Sequence, residues 1–79
     1  SVRLSAREFD VMRFLLQAQD RILSKEMILA RVWGYDSNAV ETHVEVYVGF
    51  LRKKLSAITS NVRIEAVRRL GYRLEVAEG

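Results

Sequence analysis

The sequence predicts an α+β fold, three helices followed by a C-terminal β-hairpin. Three observations point there. Apolar residues recur at helical spacing in three stretches up to about Ala57, then alternate in two short runs after Asn61. Ser5 and Ser24 each stand just before a helical stretch, where a side-chain hydroxyl accepts from a free backbone N–H. Gly34 and Gly71 fall where a helix exit and a hairpin turn call for a positive φ.

Taken in order, Val2-Arg3-Leu4 alternates but is short, which predicts an edge strand at most. Ser5-x-x-Glu8 has capping-box spacing and opens the first helix. Its apolar face reads as Phe9, Met12, Leu15 and Leu16, and it is expected to run to about Ala18. Gln17-Ala18-Gln19-Asp20 closes it without a glycine. Ile22-Leu23 is a short apolar link. Ser24 caps the second helix, with Glu26 favourably placed in its first turn. Met27, Ile28, Ala30 and Val32 are the inward candidates. This helix ends at Trp33, and Trp33-Gly34-Tyr35-Asp36 reads as a turn.

The third helix is expected from about Asn38 to about Ala57. At about 100° per residue, Val40, Val44, Val48, Leu51 and Leu55 lie within roughly 40° of one line, a stripe to be buried. The opposite face carries Thr42, Val46, Gly49 and Lys53, flanked by His43, Glu45 and Phe50. A solvated face would place Glu, Gln or Lys there. Thr, Val and Phe suit thymine methyl groups, and Gly admits a close backbone. Arg52, Lys53 and Lys54 follow, placed to meet phosphates. The same basic turn also suits the helix dipole of any amphipathic helix.

Beyond the polar loop Thr59-Ser60-Asn61, Val62, Ile64 and Ala66 alternate with Arg63, Glu65 and Val67. Tyr72, Leu74 and Val76 alternate with Arg73 and Glu75. Arg68-Arg69-Leu70-Gly71 lies between, a hairpin tip with Gly71 supplying the positive φ. Adjacent arginines repel. A minor groove, where negative potential is concentrated, gives them a purpose. A solvated basic turn is the alternative.

Composition sets the bounds. A chain of 79 residues makes one small domain with one modest core. With 49% hydrophobic and 29% charged residues it is a folding, globular sequence. The absence of cysteine leaves no disulfide frame or thiolate metal site and fits a reducing cytosol. No apolar run approaches the roughly 20 residues of a membrane span. The chain begins with Ser, so it is expected to be part of something longer. Its net charge of +3 is uneven, with −1 over residues 1–48 and +4 over residues 49–79. A basic C-terminal half suits a polyanionic partner. With a single His, no Cys, no clustered metal ligands and no Gly-rich phosphate loop, no catalytic residue, metal or cofactor is expected.

Two helices joined by a Gly-containing turn, then a hairpin with a cationic tip, make the winged helix-turn-helix plan. The motifs along it resemble the C-terminal effector domain of OmpR/PhoB-type two-component response regulators. The resemblance is carried by Leu4-Ser5-x-x-Glu8-Phe9, Ile22-Leu23-Ser24-Lys25-Glu26 and Val32-Trp33-Gly34-Tyr35. It continues through Val44-Glu45-Val46-Tyr47-Val48-x-x-Leu51-Arg52-Lys53-Lys54-Leu55 and Val67-Arg68-x-x-Gly71-Tyr72-Arg73-Leu74.

The resemblance implies a cytoplasmic, non-enzymatic regulator of transcription whose partner is double-stranded DNA. It implies a third helix in the major groove and a wing, about residues 62–76, at the minor groove. It places Thr42, His43, Glu45, Val46, Tyr47, Gly49, Phe50, Arg52 and Lys53 towards DNA, with Arg68, Arg69 and Tyr72 on the wing. Gly34, Tyr35, Asp36, Ser37 and Asn38 match a loop that touches RNA polymerase. A receiver domain outside this stretch, a cognate histidine kinase acting on it, and a homodimer of the parent on promoter direct repeats are also implied. Two departures stand out. Gly49 and Phe50 replace the Arg or His of many relatives, and Arg69 replaces a usual Gly. Alternatives are a winged-helix activator without a receiver domain and a winged-helix protein-interaction module.

Overall fold

The computed structural model describes residues 3–34, 38–58 and 61–76. Three helices, α1 (Ala6–Ala18), α2 (Lys25–Trp33) and α3 (Glu41–Ala57), precede an antiparallel hairpin of β1 (Val62–Val67) and β2 (Gly71–Val76). The winged helix-turn-helix expectation holds.

The α1 capping box is complete. The Glu8 amide donates to the Ser5 hydroxyl at 3.2 Å, and the Ser5 amide donates to Glu8 Oε1 at 2.8 Å. The buried line of α1 differs from the expected one. Phe9 and Leu16 are exposed, whereas Glu8, Val11, Leu15 and Ala18 are buried. The side of α1 that carries Val11, Leu15 and Ala18 faces the core, an equally regular apolar stripe. Glu8 lies on that side, and Lys54 Nζ of α3 reaches its Oε1 at 2.7 Å and gives the buried carboxylate a partner.

On α2, Ser24 caps as expected, with the Met27 amide donating to its hydroxyl at 3.1 Å. Ile28 is buried, and Leu29, Val32 and Trp33 pack against the core. Met27 and Ala30, expected inside, are exposed because the core meets the Ile28 side of this short helix. Arg7 ties α1 to the end of α2. Its guanidinium donates to the Val32 carbonyl at 2.7 Å and lies 5.3 Å above the Trp33 ring. That satisfies a carbonyl the helix end would leave free.

Helix α3 starts later than expected, at Glu41. Val40 is its N-cap, in extended backbone, and is exposed instead of joining the stripe. Valine has no acceptor to offer, so one half of the capping box is missing. His43 supplies the other half, its Nδ1 accepting from the Val40 amide at 3.0 Å. Val44, Val48 and Leu51 are fully buried and Leu55 partly so.

The hairpin pairs Val62 with Val76 through Val67 with Gly71. Leu23, in the link before α2, adds a short third rung. Its amide donates to the Tyr72 carbonyl at 2.7 Å, and the Tyr72 amide returns the bond at 2.8 Å. Gly71, at φ 141°, must be glycine for this. A Cβ there would sit 2.0 Å from the Leu23 carbonyl oxygen. Gly71 is not the sole left-handed position of the tip, since Arg69 takes φ 69°. No strand forms at Arg3-Leu4, and Val2 lies outside the described residues.

Candidate nucleic-acid interface

The outer face of α3 is open. Thr42, His43, Glu45, Val46, Gly49, Phe50, Arg52 and Lys53 are all exposed. Val46 and Phe50 are 44% and 47% exposed. A Cβ built on Gly49 would meet nothing within 4 Å. Tyr47 differs. It is half-buried and packs against the core between Trp33, 5.5 Å away, and Phe50, 5.7 Å away, with edge-on ring contacts to both. It buttresses the face more than it forms it. Glu45 pairs across to Lys25 of α2 at 3.5 Å.

The cations divide into two groups. Arg52, Lys53, Arg63, Arg68 and Arg69 are exposed, and none forms an ion pair or hydrogen bond with another described side chain. Lys54 and Arg73 are spoken for. Arg73 pairs with Glu65 across the hairpin. Lys54, expected to meet phosphate, instead turns back to Glu8 and to the Arg3 carbonyl at 2.9 Å. Burial pushes the Glu8 carboxyl up, but the Lys54 hydrogen bond, the Ser5 donors and the Lys54 charge outweigh it and hold the group below its ordinary value. Its other oxygen, Oε2, is buried without a hydrogen-bond partner.

The wing tip and α3 share a cleft of about 480 Å³. Arg68, Arg69, Leu70 and Gly71 line it from the wing, Glu41 from the start of α3, and Ser24, Lys25 and Glu26 from the start of α2. The tip arginines therefore flank one end of α3. Arg52 and Lys53 stand at the other, roughly 17 Å along the helix axis. The open apolar centre lies between. Tyr72, expected on the wing surface, is 8% exposed and belongs to the core. Of the loop residues, Gly34 and Asn38 are exposed, while Tyr35, Asp36 and Ser37 lie outside the described residues.

The part of α2 in this cleft was not legible from sequence. Only the fold brings Ser24 and Lys25 beside residues more than forty positions away. A capped helix start followed by Lys was the available signal. Among the described residues no three His, Cys, Asp or Glu side chains gather, and no helix is long and apolar enough to cross a membrane.

Known proteins share this sequence pattern and fold. The transcriptional regulatory protein CiaR of Streptococcus pneumoniae is 42% identical over 74 residues, 94% of this chain and 33% of its own. The chain thus spans about a third of the length of the curated relatives it matches. The DNA-binding domain of Bacillus subtilis CssR superposes with a TM-score of 0.81 at 28% identity, over 94% of this chain and 80% of that one. The response regulator AdeR DNA-binding domain, solved in complex with an intercistronic region, gives 0.82 at 26% identity, over 94% and 74%. Residues 1–74 match the family described as "Transcriptional regulatory protein, C terminal". The chain belongs to that family, the OmpR/PhoB-type DNA-binding domain of transcriptional regulators.

Proposed function

We propose that this domain serves a two-component response regulator by seating α3 in a major groove and the wing at the neighbouring minor groove. One observation carries the reading. Unpaired cations stand at both ends of an open apolar helix face, at Arg68-Arg69 and at Arg52-Lys53. A duplex offers phosphate rows on either side of a groove whose floor carries base edges, which is the complementary arrangement. Thr42, His43, Glu45, Val46, Gly49 and Phe50 then face the groove, with Tyr47 and Tyr72 acting mainly as supports. The parent would work in the cytoplasm as a homodimer on promoter direct repeats, switched by a histidine kinase acting on a receiver domain. The loop at Gly34 to Asn38 is the candidate contact for RNA polymerase. A pure protein-interaction module has little use for free arginines at the tip.

The test is selection from random duplex DNA followed by titration across salt. Four to five neutralised phosphates predict a log–log slope of about −3.6 to −4.5. Arg68→Ala should lower the slope by about 0.9 and blunt any preference for a narrow minor groove. No enriched sequence, or a slope near zero, would rule the reading out.

A further inference from the structure

We infer that the centre of this face reads the C5-methyl group of thymine, through Val46 and Phe50. The inference rests on the placement of α3 in a major groove. From Glu41 to Phe50 the helix carries no Arg, Lys, Asn or Gln, the residues that pair bidentately with guanine or adenine. Of the polar groups present, Thr42 is short and exposed, its methyl itself suited to an apolar contact, and the longer ones are partly engaged or lie in the first turn. His43 gives its Nδ1 to the Val40 amide, Glu45 lies against Lys25, and Glu41 sits in the first turn.

What remains is apolar and fixed in place. Val46 and Phe50 are each nearly half exposed. The Phe50 ring rests at 72° to Tyr47, which rests in turn on Trp33, so the ring is presented without further ordering. Beside them the open space at Gly49 lets the backbone approach. Val46 and Phe50 are one helical turn apart, about 6 Å along the axis. That spans roughly two base-pair steps of about 3.4 Å. Thymine methyls are the apolar groups that a major groove displays. Covering one should strengthen binding by about four-fold.

The experiment uses a duplex selected by the full chain, with each thymine replaced in turn by deoxyuridine, which removes only the methyl. Two positions about two base pairs apart should each weaken binding by about four-fold, and together by more than ten-fold. Val46→Ala should erase the penalty at one position and Phe50→Ala at the other. Phe50→Leu, which keeps an apolar tip, should retain it. Thermal melting confirms that each variant is folded. Uracil duplexes bound as tightly as thymine duplexes would overturn methyl reading while leaving DNA binding intact. Penalties that survive both alanine variants would do the same. A chain that enriches no duplex would overturn both readings.

Discussion

Val44 and Val48 of α3 are 0% and 1% exposed, whereas Val46, midway between them, is 44% exposed. Residue type is the same and only phase differs. On the inner face, valine is covered by Val11, Leu15, Ile28 and Ile64 as part of one core. On the outer face, Val46 keeps company with Gly49 and Phe50, and nearly half of each of the two side chains stays open to solvent. Hydrophobicity marks both faces alike. It becomes stability on one and an open surface on the other, according to what the rest of the chain packs there.

The sharpest way to break this contrast is to truncate each face. Leu51→Ala should cost about 2–5 kcal/mol, since it empties a buried site. Val46→Ala should stay within about 0.5 kcal/mol of the parent in stability and relax base preference on DNA. Denaturant melts and competition titrations check the two. A Val46→Ala protein destabilised as much as Leu51→Ala would show that the outer face is part of the core.

The same contrast separates neighbouring lysines. Lys53 points outwards and Lys54 holds buried Glu8. Lys54→Met strands that carboxylate. The Lys54 side chain is itself 35% exposed, so the expected cost is nearer about 1–2 kcal/mol than that of a fully buried pair. The salt slope of DNA binding should not change. Lys53→Met should do the reverse, leaving stability intact and lowering the slope by about 0.9. If Lys54→Met lowered the slope and spared stability, the Glu8 pairing would be wrong.

Acid offers a gentler probe of the pair. The folded Glu8 carboxyl titrates below its ordinary value of 4.5, so the unfolded chain binds the extra proton first. The stability it contributes is complete above that ordinary value and is lost as pH falls through the lower, folded one. Urea midpoints measured between pH 7 and pH 3 should show this loss in the parent and a shallower one in Lys54→Met. Equal acid slopes would remove the pair from the account.

Much of this was readable from local chemistry. Ser5, Ser24 and Gly34 marked helix ends because capping depends on a few adjacent residues. The outer face of α3 was legible because one helix sets its own phase. The errors came where distant residues decide. Phe9 and Leu16 make as good a stripe as Val11, Leu15 and Ala18, and which one is buried depends on the distant elements packed against α1, Lys54 opposite Glu8 among them. Tyr72 alternated correctly but sank into the core through the Leu23 rung, which no periodicity announces. The late start of α3 is the local exception, since His43 caps the Val40 amide three residues back and is an unusual acceptor for that position.

The smallest effect asks what Gly49 is for. Glycine inside a helix loses more backbone freedom than alanine, so Gly49→Ala should stabilise the fold by about 0.5–1 kcal/mol, because the new methyl meets nothing within 4 Å. The same change at Gly71 would drive a Cβ into the Leu23 carbonyl and destabilise. Gly49 therefore serves something outside the fold, and a major groove brought close to the helix backbone is such a thing. Gly49→Ala should accordingly melt higher yet bind its selected duplex several-fold more weakly. Unchanged affinity would mean that DNA never approaches the helix on this side, and the outward face would have to be reassigned.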